Sequence, residues 1–105
     1  MLELGKENFE EEVLNSEGIV LVDFWSENCD LCLDLMPEVE ELAEEYGDQV
    51  KFAKLDIQGN RRLAIGQKVL GLPSIVLYED GEKVEHLSGD EVEAEDIKAA
   101  IEERI

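Results

Sequence analysis

Seven consecutive residues, Ile19-Val20-Leu21-Val22-Asp23-Phe24-Trp25, constrain the fold of this chain more than any other stretch. All but Asp23 are apolar, with β-branched and aromatic types prominent, so the run reads as a strand buried on both faces. From about Cys32 to Tyr46, the apolar residues Leu35, Val39, Leu42 and Tyr46 recur at steps of four, three and four. That is helical spacing, and Glu38, Glu41, Glu44 and Glu45 fall largely on the wet side. Pro37 lies inside this helix and is expected to kink it, and Gly47 to end it.

Further along, Val50 to Ile57 reads as a second core strand and Arg61 to Gln67 as a short helix. Ser74 to Tyr78 and Lys83 to Leu87 flank Glu79-Asp80-Gly81-Glu82, a hairpin signature. The last helix, roughly Val92 to Arg104, carries Ile97, Ile101 and Ile105 at steps of four, and a short helix is expected around Phe9 to Leu14. The order is strand, helix, strand, helix, strand, helix, strand, strand, helix. Strands alternating with helices and closing on a hairpin specify an α/β protein, a mixed sheet covered on both faces. At 105 residues the chain is expected to form a single domain, 1–105, large enough to bury a core without staples.

The 44% hydrophobic content argues against disorder despite the heavy charge. No apolar run approaches the ~20 residues that span a bilayer. Met1-Leu2-Glu3-Leu4-Gly5-Lys6-Glu7 lacks a basic segment followed by an apolar one, so a cytoplasmic location is expected. A net charge of −19 repels phosphate backbones and anionic lipid, which sets aside nucleic acid and membranes as partners. Most of that charge reads as solvated helix faces, and a monomer is expected. Arg61, Arg62 and Lys68 are the only dense basic patch, either a partner contact or, the favoured reading, a balance to neighbouring acids.

Only two cysteines occur, Cys29 and Cys32. In a reducing compartment structural disulfides are rare, so a close pair points to metal binding or redox chemistry. The pair sits where a buried strand hands over to a helix, a place where free N–H groups and the helix dipole stabilise a thiolate. Thiolate is the attacking species in disulfide exchange, and a second sulfur two residues on is placed to resolve a mixed disulfide. Half of a zinc site has the same spacing. A structural zinc site takes four ligands, and beyond these cysteines the chain offers one histidine, His86, in the hairpin. Carboxylates or a second subunit would have to complete it.

The surroundings of the pair decide between the two. Asp23-Phe24-Trp25 precedes it, Pro37 follows, Lys54 lies on the next strand, and Gly71-Leu72-Pro73-Ser74 opens the one after, with Gly81 and Gly89 beyond. Over essentially its whole length this pattern resembles the thioredoxin family. The resemblance implies the thioredoxin fold, a central sheet of about five strands flanked by about four helices. It makes Cys29 the exposed nucleophile and Cys32 the buried resolving thiol. Asp23 becomes the buried carboxylate that moves a proton to or from Cys32, and Lys54 the lysine that pairs with it. Burial of that carboxylate is expected to raise its pKa. Pro73 matches a cis-proline lying against the disulfide, which leaves backbone groups of Leu72 free for an extended substrate segment. Trp25 matches a tryptophan packed beside the site.

The sequence departs from the family's usual pattern, which has tryptophan before the first cysteine, Gly-Pro between the two and a basic residue after. Here the stretch is Asn28-Cys29-Asp30-Leu31-Cys32-Leu33. Asn28 removes an aromatic contact with partners. Asp30 places a negative charge next to the attacking sulfur, and Leu33 takes away a positive one, so both oppose thiolate formation. The expected result is a disulfide that is hard to reduce, and hence a strong reductant, while loss of the intervening proline acts in the opposite direction. Leu31 and Leu33 lie outside the helical stripe and are candidates for an apolar docking rim with Leu72.

The expected function is that of a protein-disulfide reductase and electron carrier acting on disulfide-containing proteins. No G-x-G-x-x-G fingerprint occurs, so no cofactor and no metal is expected. A separate reductase must recharge the pair, and the family's usual donor is a flavin-dependent thioredoxin reductase. Arg61-Arg62-Leu63-Ala64-Ile65 and Lys68-Val69-Leu70-Gly71-Leu72-Pro73 resemble thioredoxins of anaerobic, amino-acid-fermenting bacteria, which implies electron supply to a glycine reductase system. Two other readings keep the same residues: a redox-inactive binding module, and a metal or iron–sulfur carrier that bridges two subunits through the cysteine pair. A glutaredoxin-like activity is weaker, because the proline-aromatic pair between the cysteines is missing.

Overall fold

A computed structural model describes all 105 residues. Five strands form one sheet in the order β1-β3-β2-β4-β5. They are β1 (Leu2–Leu4), β2 (Ile19–Trp25), β3 (Val50–Asp56), β4 (Ser74–Glu79) and β5 (Glu82–Ser88). β1 and β2 run parallel to β3, whereas β4 runs antiparallel to both β2 and β5. The helices are a π-helical turn at Glu10–Leu14, α1 (Asp30–Tyr46), α2 (Arg61–Gly66) and α3 (Ala94–Glu102). The first strand of the expected order, to which the residues assign no bounds, is Leu2–Leu4 on the sheet edge.

The apolar run places β2 at the centre of the sheet, between β3 and β4. Side chains alternate along a strand, so Val20, Val22 and Phe24 join one core with Phe9, Val13, Ala64 and Tyr78. Leu21 points the other way, into a core with Leu35, Val39, Leu42, Ile97 and Ile101. The π-helical turn and α2 therefore cover one face, and α1 and α3 the other. The residues at the expected helical steps, Leu35, Val39, Leu42 and Tyr46, are the ones α1 buries.

α1 begins two residues earlier than the apolar spacing suggests, because Cys29 caps it and the first turn is built on polar contacts. It continues through Pro37. It stops at Gly47 in right-handed backbone (φ −59°), not in the left-handed conformation usual for a terminal glycine. Here glycine is required by space, since a Cβ would collide with the Ala43 carbonyl. α3 is shorter than expected at both ends: a reciprocal Glu93/Asp96 capping box starts it at Ala94.

The hairpin turns at Asp80 and Gly81, both at positive φ (52° and 85°), the backbone of a two-residue type I′ connection. Gly81 also lies against the Leu14 carbonyl, where no Cβ fits. After α2, Lys68 takes a positive φ of 64°, and the Val69 N–H returns to the Ala64 carbonyl at 2.9 Å. That turn puts Val69 into the core and leaves Leu70 outside it.

Candidate active site

Cys29 and Cys32 form a disulfide at the N-terminus of α1, with Cα atoms 5.2 Å apart. Cys29 is the N-cap in extended backbone, held from behind by its N–H donating to the Ser26 carbonyl at 3.1 Å. The Cys32 N–H donates to Cys29 Sγ at 3.1 Å. A sulfur so placed receives one of the unsatisfied N–H groups of the helix start and faces its positive end, which favours the anion once the pair is reduced. The two sulfurs are not equivalent. Cys29 is half-buried, while Cys32 is 1% exposed.

Asp23 is 1% exposed, and neither of its carboxylate oxygens has a hydrogen-bond partner. Its strand is central, so it is not a solvent-facing edge residue. It lies on the β2 face covered by α1, the helix that carries Cys32. Burial pushes its pKa up from 3.8 to about 7, against the opposing pull of Lys54. The two residues are directly opposite in the β2–β3 register.

The expected pairing of Asp23 with Lys54 is nonetheless not a contact. Lys54 Nζ sits 6.0 Å from the centroid of the Trp25 ring, and Lys54 joins none of the molecule's ion pairs. The physical reason is desolvation: an ammonium drawn fully into the site would lose its water, whereas over the indole it keeps part of it. Lys54 acts on Asp23 through the field only.

Trp25, half-buried at the end of β2, accepts at its carbonyl a bond from the Ile57 N–H at 2.9 Å, and its ring faces Lys54. Asn28 and Asp30 are exposed on either side of Cys29. Leu31 is 46% exposed and, with Leu35 and Pro73, lines a recess of about 310 Å³. Leu33 is exposed too, so both leucines stand outside the buried stripe.

The Leu72–Pro73 peptide is cis. Pro73 is buried, Leu72 is half-buried, and neither the N–H nor the carbonyl of Leu72 has a hydrogen bond within the chain. Ser74 follows, fully buried, its hydroxyl donating to the Gly71 carbonyl at 2.6 Å. His86 comes within 3.4 Å of that hydroxyl. Burial and the nearby Lys83 lower its pKa. Beyond the zinc alternative the residues give His86 no role, and Ser74 enters only as the residue after Pro73. The hairpin register, which sets Ser74 opposite Ser88 and Val76 opposite His86, was the signal that brings them together.

Arg61, Arg62 and Lys68 are exposed and belong to none of the ion pairs, so any balance with neighbouring acids acts without a direct contact. Half of the chain's 28 carboxylates lie on α1 or between Asp90 and Glu103. No group of three or more His, Cys, Asp or Glu side chains is arranged to hold a metal ion. No helix is long and apolar enough to cross a membrane.

The thioredoxin family model matches residues 1–103. A thioredoxin of Acetoanaerobium sticklandii is 50% identical over 105 residues, covering 100% of both chains. One from Peptoclostridium acidaminophilum is 48% identical over 105 residues, 100% of this chain and 96% of its own. A thioredoxin of Buchnera aphidicola from Schizaphis graminum is 42% identical over 78 residues, 74% of this chain and 72% of its own. The fold, the closed cysteine pair at the start of α1, the family match over residues 1–103 and the two relatives matched over the whole chain agree: the chain belongs to the thioredoxin family.

Proposed function

We propose that this thioredoxin-type oxidoreductase works as a reductant of protein disulfides. The observation that carries the reading is the asymmetry of the pair, an accessible Cys29 Sγ on a helix N-terminus backed by a buried Cys32. In the reduced protein the Cys29 thiolate attacks one sulfur of a target disulfide. A Cys29–target bond forms, the target S–S bond breaks, and the second target sulfur leaves as a thiolate. Asp23 then takes the proton of Cys32, and the Cys32 thiolate attacks Cys29 Sγ. The Cys29–Cys32 bond closes and the first target sulfur departs. Two electrons have passed from the pair to the target.

A group with a pKa near 7 is suited to this exchange at neutral pH, since it takes up and releases a proton with little driving force lost. Asp23 meets that condition because nothing around it stabilises its charge except the distant Lys54. The free backbone groups of Leu72 are positioned for an extended target segment to pair with the chain beside the sulfurs. Asn28, Asp30 and Leu31 line the approach on the other side. Recharging by a flavin-dependent thioredoxin reductase follows from the family resemblance, as does electron supply to an amino-acid (glycine) reductase system, and a reductant's role fits a cytoplasmic location.

Equilibration across a dithiothreitol series, with free thiols counted by alkylation and mass spectrometry, tests the core of this reading. A reversible two-electron transition between Cys29 and Cys32, more reducing than the glutathione pool, is expected. Two thiols that never close into an intramolecular disulfide would overturn it.

A further inference from the structure

In a chain with 28 carboxylates, nine cations have an abundance of partners. Three of them, Lys51, Lys98 and Arg104, form ion pairs. Lys54 lies over Trp25, and Lys83 donates to the Gln67 carbonyl. The remaining four, Lys6, Arg61, Arg62 and Lys68, have no partner in the chain, and all lie about α2. Lys6, Arg61 and Arg62 line one shallow recess there.

The same short segment holds the two most exposed large apolar side chains of the molecule, Leu70 at 83% and Ile65 at 59%. With Ile57, Val69 and Leu72 they surround an apolar recess of about 210 Å³, with Arg61 at its rim. Such a recess takes one aromatic or branched aliphatic side chain. It ends at Leu72, one peptide bond from Pro73. Beyond that bond the charge reverses: the recess containing Leu31 and Pro73 is rimmed by Asp34, Glu38, Asp90 and Glu93.

We propose that the surface formed by Lys6, Arg61, Arg62, Ile65 and Leu70 docks the acidic flank of a disulfide-bearing polypeptide, one with an apolar side chain set among its carboxylates. This rests on the disulfide-exchange reading above and adds the chemistry of the partner. Free cations beside an apolar recess match carboxylates beside an apolar anchor. Nucleic acid and lipid headgroups offer the negative charge, but neither carries an apolar side chain set among the charges for the recess to bury.

Two synthetic peptides of identical composition test the proposal. Each has a central cysteine held as a mixed disulfide with 2-mercaptoethanol, Glu-Glu-Phe on one side and Lys-Lys on the other, in opposite orders. Both are neutral overall, so the net charge of the protein treats them nearly alike. A third peptide replaces every charge with Gln. The reduced protein is expected to prefer one charge order by about fivefold in second-order rate, the size of one or two exposed charge contacts. The variant R61Q/R62Q is expected to bring that ratio to within about twofold while reducing the Gln peptide as fast as the parent. Equal rates for the two orders, or a preference that survives in R61Q/R62Q, overturn the docking proposal alone. Failure of the parent protein to reduce even the Gln peptide overturns the exchange reading, and the docking proposal with it.

Discussion

The two faces of the sheet bury equal cores, twelve residues each, yet they leave different surfaces. The face under α1 and α3 is covered by long amphipathic helices whose wet sides are almost wholly acidic. Its one anomaly is inside: Asp23, a carboxylate without a partner. The face under α2 has no buried charge and a helix of six residues that buries only Ala64. Its anomalies are outside, in free cations and bare apolar side chains. Equal cores show that neither anomaly repairs a packing deficit. The first face carries the cost of a buried carboxylate without a partner, and the second leaves exposed cations and apolar side chains that the fold itself does not need.

The largest expected effect tests the cost of Asp23. Each pKa unit is worth about 1.4 kcal/mol, so a rise from 3.8 to about 7 destabilises the folded protein by about 4 kcal/mol once the group ionises. Between these pH values the folded chain holds a proton that the unfolded chain has released. Stability therefore falls as pH rises through that window, and the full cost is present above 7. Asp23→Asn should be no more stable than the parent near pH 4 and more stable above pH 7, measured as urea midpoints at both. A gain of the same size at both pH values would remove the electrostatic account. The same variant should slow release of the mixed disulfide above pH 7.

Next in size is a paired truncation across the two faces. Leu35→Ala removes a buried side chain under α1 and should cost about 3 kcal/mol. Ile65→Ala removes a mostly exposed one from α2 and should change stability by less than about 0.5 kcal/mol. Denaturant unfolding of both gives the contrast directly. A cost at Ile65 near that at Leu35 would mean that α2 is packed more deeply than its exposure shows.

A smaller effect is expected at the link between helices on the first face. The Tyr46 hydroxyl donates to Glu102 Oε2 at 2.6 Å, tying α1 to α3, and this bond raises the tyrosine pKa. Tyr46→Phe should lower the urea midpoint by less than Leu35→Ala does, and an unchanged midpoint would mean that the bond adds nothing to folding. The smallest effect is at Asp30, exposed beside the attacking sulfur. Asp30→Asn should move the pH midpoint of Cys29 alkylation slightly downward, and an unmoved midpoint would show that solvent screens the charge completely.

Much of the molecule was legible in the residues. The β2 run, the α1 stripe and the Asp80-Gly81 hairpin depend on local periodicity and turn chemistry, which neighbours in sequence suffice to set. β1 was harder, because three residues on an edge carry almost no periodic signal. Helix ends shifted by two residues where caps, not apolar spacing, set the start. At the site, the cysteine pair and Asp23 stood out by spacing and by incongruity, a carboxylate within an apolar run. The contact of His86 with Ser74, and the separation of Lys54 from Asp23, did not.

By itself the sequence determined the order of elements, the burial of β2 on both faces, and the position of Cys29 at a helix start. Each follows from the periods of helix and strand and from the cost of burying a charge. Only the tertiary structure decided which charges are solvated and which are committed. Lys54 turned to Trp25, and Arg61 and Arg62 found no acid among 28. Cys32 became buried while Cys29 did not. Those outcomes depend on which surfaces long-range packing brings together, and a charge or a sulfur acquires its chemistry from that environment.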